Sequence, residues 1–119
     1  MKILPPTLRE KKRYLAFELV SEKNVLREDL ISEIFSCANL LIGDVGSSEC
    51  NMRLLKYENS KGIIRCNYLM TDTVRAVLAT VNSIAGIPVV IYVMGISGTV
   101  AKATEKYLEN ENIFKPDKH

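Results

Sequence analysis

Two stretches of helical periodicity, separated by a pair of strand-like runs, constrain this chain more than any other feature. Leu26, Leu30, Ile31, Ile34, Phe35 and Ala38 recur at helical spacing with Glu28, Asp29 and Glu33 between them, which predicts a helix with one apolar and one charged face. Gly43 is placed to end that helix, and GDVGSSE reads as the loop that follows. Val74, Val77, Leu78, Val81 and Ile84 form a second stripe, with Thr71 as the expected N-cap and Gly86 as the expected stop. Between the two helices, Met52 to Tyr57 and Ile63 to Leu69 read as strands joined by the turn ENSKG.

Tyr14 to Ser21 (YLAFELVS) supplies a strand before the first helix, and VVIYVM, after Pro88, supplies one behind the second. The order is βαββαβ. Each helix must bury its apolar face against a sheet, so the order predicts an α+β domain of the split-βαβ, ferredoxin-like plan: a four-stranded antiparallel sheet with both helices on one side. A further C-terminal helix, Val100 to Asn110, has a thin apolar face (Val100, Ala103, Tyr107, Leu108) and no place in that plan. It is expected on the other side of the sheet or along an edge. At 119 residues and 47% hydrophobic, the chain suits one such domain, 14–110, between an N-terminal arm, 1–13, and a C-terminal tail, 111–119.

Several function classes drop out on residue type. The one histidine is the last residue, His119, so the usual general base is missing. Cys37, Cys50 and Cys66 are odd in number and contain no C-x-x-C pair, which argues against a metal cage or a disulfide framework and predicts buried, inert thiols. Neither catalytic residues nor a bound cofactor are expected. The apolar runs are short and the N-terminus carries charge and proline, so a soluble cytoplasmic protein without membrane contact is expected.

Charge is nearly balanced, at +2, but unevenly placed. Residues 1–13 hold five cations, Lys2, Arg9, Lys11, Lys12 and Arg13, against Glu10 alone, so the arm carries +4 and the rest of the chain −2. Pro5 and Pro6 exclude a helix there. An extended basic arm ahead of a strand suits a phosphate backbone.

The stretch KGIIRCNY, Lys61 to Tyr68, nearly matches the third-strand signature of RNA-recognition motifs, whose aromatics stack on bases. Here those aromatic positions are Ile63 and Arg65. Alternation places Ile64, Cys66 and Tyr68 on one face and Ile63, Arg65 and Asn67 on the other; on the first strand Leu15, Phe17 and Leu19 turn inward and Tyr14, Ala16, Glu18 and Val20 outward. Only Tyr14 remains to stack a base, and Glu18 is expected to pair with Arg65. Contact with structured RNA through cations fits this face better than base readout. In MGISGTVAK, Ser97 or Thr99 can cap the extra helix, and Ser97, Gly98, Thr99 and Lys102 are candidates for a phosphate contact.

Together, LPPTLREKKRYLAFEL, LLKYENSKGIIRCNY and GISGTVAKA resemble the archaeal and eukaryotic ribonuclease P protein component 2 family, in order and spacing from Leu4 to about Leu108. The resemblance implies a fold similar to the RNA-recognition motif and a subunit of the ribonucleoprotein endonuclease that removes the 5′ leader from precursor tRNA. It implies that catalysis belongs to the RNA subunit and its magnesium. The implied partners are ribonuclease P RNA, protein component 3 and, through the holoenzyme, precursor tRNA, with two copies of this chain in a heterotetramer. The expected RNA contacts are Arg9, Lys11, Lys12, Arg13, Tyr14, Arg65, Ser97, Gly98, Thr99 and Lys102. The exposed apolar run Leu40, Leu41 and Ile42, with Ile63, Val20 and Ala16 on the open face, predicts a protein interface. A ferredoxin-like small-molecule regulatory module is the alternative; an acylphosphatase-like hydrolase is disfavoured, because SEKNVLRE lacks the glycine that would shape a phosphate cradle.

Overall fold

Strand β1 (Lys12–Ser21) lies between β3 (Lys61–Asn67) and β5 (Ile87–Ser97), and β2 (Arg53–Glu58) and β4 (Ser83–Ile84) complete a sheet ordered β2-β3-β1-β5-β4. The computed structural model describes residues 11–109. Every pairing is antiparallel. Without β4, the order is that of the ferredoxin-like plan, with β1 and β3 at its centre. The two-residue β4 is an addition at the edge, so the sheet has five strands rather than the expected four.

Helices α1 (Arg27–Cys50) and α2 (Thr71–Thr80) cover one face. Leu15, Phe17 and Leu19 of β1 and Ile64 and Cys66 of β3 meet Leu30, Ile34 and Ala38 of α1 and Val74, Val77 and Leu78 of α2, all buried. The inward alternation expected of these strand residues is therefore observed. By length and composition alone α1, 24 residues with its kink at Gly43, could cross a membrane. Here its apolar stripe packs on the sheet instead.

Lys12 and Arg13, expected in the arm, belong to β1, and three helix boundaries also differ from expectation, each for a local reason. Gly43 (φ 78, ψ 174) ends the first helical segment of α1, as expected, but a second segment, 44–50, follows at once across the kink, so the rest of GDVGSSE is helical rather than a loop, with Ser47 and Cys50 buried. Helix α2 stops at Thr80, yet Val81 and Ile84 still reach the core from extended backbone, and Ala85 and Gly86 make the turn into β5 with φ of 52° and 81°. Thr71 is the first helical residue rather than the cap. The capping side chain is that of Asn67, whose Oδ1 accepts the Leu69 N–H at 3.1 Å and opens the 3₁₀ turn Tyr68–Met70.

The extra helix α3 (Val100–Ala103) continues as a π-helical stretch, Thr104–Glu109, across the face opposite α1 and α2. Ala16, Ile63 and Ala103 are fully buried on that side. The Tyr107 ring fills the space where a Cβ on Gly95 would stand. Lys56 Nζ donates to Thr104 Oγ1 at 3.0 Å. The face expected to be open is therefore half covered, and Ile63 and Ala16 are not available to a partner. Val20 remains exposed, as do Leu40 and Leu41 on α1, whereas Ile42 is partly buried against the core.

Candidate nucleic-acid interface

Cross-strand register assembles the site. On the outer face, Arg53 of β2 stands opposite Arg65 of β3, Arg65 opposite Tyr14 of β1, and Tyr14 opposite Ser97 of β5, so one transverse row reads Arg53, Arg65, Tyr14, Ser97. One step toward the sheet's end, Lys12 stands opposite Asn67. In the other direction the next row, Lys56, Ile63, Ala16, Gly95, runs beneath α3. The uncovered end of the outer face thus carries three cations, a ring, a hydroxyl and an amide.

The register also rules out one expected pair. Glu18 lies opposite Lys61 and Arg65 opposite Tyr14, four residues apart along β1, so Glu18 and Arg65 do not pair. The Nε of Arg65 is instead buried with no hydrogen-bond partner among the described residues, although the residue as a whole is half-buried. Arg53 is exposed.

The start of the arm is tied to the same end. The Tyr68 N–H donates to the Lys11 carbonyl at 3.3 Å, and Lys11 Nζ and the Arg13 guanidinium lie 5.2 and 5.8 Å from the Tyr68 ring centroid. Such cation–π contacts are worth about 0.5–1 kcal/mol each at exposed sites, enough to bias where the cations point. Tyr68, expected inward, is a half-buried shelf for the arm's exit. Arg9 lies outside the described residues.

Ser97 and Gly98 lead into α3, and Thr99 is its cap, with Oγ1 accepting the Lys102 N–H at 3.2 Å. The cap expectation holds, with Thr99 rather than Ser97 in the role. Ser97 belongs to the transverse row; Gly98, Thr99 and Lys102 are exposed beside it. Of the expected contacts within the described residues, Tyr14, Arg65 and Ser97 are brought into one row and Lys12 lies next to it. Lys11 and Arg13 gather on Tyr68.

The thiols offer no competing chemistry. All three cysteines are free. Burial pushes the Cys66 thiol up to about 11, with neighbouring Cys50 adding to the rise and Lys12 opposing it, and burial likewise raises Cys37 and Cys50. Protonated thiols are poor nucleophiles and poor ligands. Among the described residues no group of three His, Cys, Asp or Glu side chains is placed to hold a metal ion.

Arg53 was not singled out in the sequence, and Tyr68 was placed there only on the inward face. A hidden bulge accounts for Arg53: pairing is regular from Glu58–Lys61 to Lys56–Ile63, then shifts by one at Leu55, so that Leu54 meets Ile64 and Arg53 meets Arg65.

The Rpp14/Pop5 family model matches residues 13–108, most of the chain. The chain belongs to the Rpp14/Pop5 family. The resemblance read from the sequence is thus confirmed over the whole domain. Ribonuclease P protein component 2 of Methanosarcina mazei is 49% identical over 114 residues, covering 96% of this chain and 98% of that protein. The protein of the same name from Methanosarcina acetivorans is 47% identical over 119 residues, covering 100% and 90%, and that from Pyrococcus furiosus is 35% identical over 109 residues, covering 90% and 91%. A chain in the cryo-EM structure of yeast ribonuclease MRP shares the fold, with a TM-score of 0.63 over 75% of each chain at 14% identity.

Proposed function

We propose that this Rpp14/Pop5 protein is a non-catalytic subunit of ribonuclease P that holds the enzyme's RNA with the basic end of its outer sheet face. The observation that carries the reading is the transverse row Arg53, Arg65, Tyr14, Ser97, set beside Lys11, Lys12 and Arg13 in a chain whose close relatives are named as ribonuclease P components. Cations fix an RNA backbone without reading bases. The sheet has no stacking pair at Ile63 and Arg65, and α3 lies over the row where base-binding sheets of this topology receive their ligand.

In this reading catalysis and magnesium belong to the RNA, and the chain's own residues bind and position. The exposed apolar residues of α1, Leu40 (86% exposed), Leu41 and Val45 (73% exposed), lie on the helical side of the sheet, away from the row of Arg53 and Arg65. They are the surface on which a protein partner, component 3 or a second copy, is best placed without competing for RNA.

Reconstitution tests the proposal. The purified chain with magnesium alone is expected to leave precursor tRNA uncut, because no nucleophile, base or metal set is assembled among the described residues. Added to ribonuclease P RNA and the other protein subunits, it is expected to raise removal of the 5′ leader. RNA-free cleavage by the pure chain, or reconstituted activity indifferent to its omission, would overturn the assignment.

A further inference from the structure

We propose that Arg53 and Arg65 form a clamp for a single RNA phosphate, an inference that rests on the RNA reading above and gives that site its anchoring interaction. Arg53 and Arg65 occupy directly opposed positions on neighbouring strands, where Cβ atoms stand about 4.5–5.5 Å apart and like charges destabilise the pair. Their register neighbours offer no compensation: Arg65 faces Arg53 on one side and Tyr14 on the other, and Arg53 is on the edge strand. Arg65 in addition has its Nε buried without a partner among the described residues. A buried donor without an acceptor is unfavourable, and so is a pair of facing guanidiniums. One anion between them relieves the repulsion, and supplies the Nε with an acceptor once the Arg65 side chain turns outward to meet it.

The chemistry of the anion follows from the surroundings. A guanidinium is a planar fork of donors that matches the paired oxygens of a phosphate, and two forks on adjacent strands can grip one phosphodiester from two sides. A lone carboxylate would satisfy the pair equally well, but the cations continue past it through Lys12 to Lys11 and Arg13 at the same end of the sheet. That continuation calls for an anion that repeats along a chain. A nucleic-acid backbone supplies it, and the Tyr14 ring next to Arg65 offers an apolar surface to the attached nucleotide.

Sharing one phosphate makes a prediction that gripping two separate phosphates does not. Affinity of the full chain for a ribonuclease P RNA transcript is measured across a salt series for the wild type, Arg53→Gln, Arg65→Gln, the double variant and Arg53→Lys. Each glutamine variant is expected to bind about tenfold more weakly, and the log–log salt slope to fall by no more than about 0.7–0.9 even in the double variant, the value for the one phosphate the two guanidiniums share. The double variant is expected to be less than about threefold weaker than either single variant, because the second guanidinium has nothing left to share. Arg53→Lys, which keeps charge and loses the fork, is expected to fall between wild type and Arg53→Gln. Without RNA, exposed Arg53→Gln is expected to melt at the wild-type temperature or above, since a repulsion is relieved.

Additive losses of about a hundredfold with a slope change near two would mean separate phosphates, and would overturn the clamp. So would wild-type affinity in Arg53→Gln, or a melting temperature well below wild type for that variant. In each of those cases the wild-type chain still binds RNA and the wider reading stands. A wild-type chain with no salt-dependent RNA affinity would overturn that reading, and the clamp with it.

Discussion

Gly62→Ala is expected to lower stability by about 2–3 kcal/mol, the upper part of the range for overpacking a closed core. Gly62 is buried on the inward face of β3, opposite Phe17 of β1 and Tyr57 of β2 in the register. The two rings converge over it, with centroids 6.5 Å apart and planes within 14°. A Cβ at this position would stand 2.6 Å from the Lys56 carbonyl oxygen and 2.6 Å from the Phe17 ring. The carbonyl is backbone and cannot swing aside, and Phe17 is fully buried in a close-packed core that leaves its ring no room to turn. Tyr57 is held as well, its hydroxyl donating to the Val25 carbonyl at 3.0 Å. Thermal melting should show a fall of about 10–15 °C for a domain of this size. Gly98→Ala is the control, because a Cβ there meets nothing within 4 Å, and it should melt within a few degrees of wild type. Equal melting temperatures for the two variants would contradict this account of the glycine in KGIIRCNY.

Gly95→Ala should act on the opposite face, and through α3. The Cβ would overlap the Tyr107 ring, which lies against the bare backbone of β5. Tyr107 can rotate away, but it and Ala103 are what hold the helix over Ile63 and Ala16. The expected result is local: backbone amides of residues 100–107 exchange with solvent at least about tenfold faster, while those of β1 and β3 keep their protection. Overall stability should fall by about 1–2 kcal/mol as apolar area on the outer face returns to water. The coupling is testable directly. In a Tyr107→Ala background Gly95→Ala should be nearly neutral, since the clash has gone, whereas additive losses would show that the glycine serves something other than the ring.

Much of this architecture was legible in the sequence because one-sided burial enforces periodicity. Leu15, Phe17 and Leu19 alternate because β1 has helices on one side, and Leu30, Ile34 and Ala38 repeat because α1 lies flat on the sheet. What escaped was set by single residues that break those periods. Gly43 does end the first helical segment, but a second, 44–50, begins immediately after it, so a residue type that usually leads into a loop here joins helix to helix. The bulge at Leu55 had a larger effect on the site. Counting regularly back from the Glu58–Lys61 pair puts Leu54 opposite Arg65 and Arg53 opposite Cys66, on the buried face; the observed shift turns Arg53 outward beside Arg65. The expected Glu18–Arg65 pair failed for a related reason, since the strands were assigned without a register. Strand neighbours are readable from topology, but cross-strand partners are not until turns and bulges are known. The contact of Lys11 and Arg13 with Tyr68 could not be read because Tyr68 leaves the strand for a 3₁₀ turn.

The claim at the centre of this account is that RNA meets the uncovered end of the outer sheet face and not the helical side. Site-directed photocrosslinking tests it most directly. A benzoylphenylalanine is placed at position 14, in the row with Arg65 and Ser97, or at position 41, on the exposed stretch of α1, and each protein is assembled with ribonuclease P RNA and irradiated. Strong crosslinks to RNA are expected from position 14, weakened by high salt, and none above background from position 41. Crosslinks to RNA from position 41 with none from position 14 would contradict the claim.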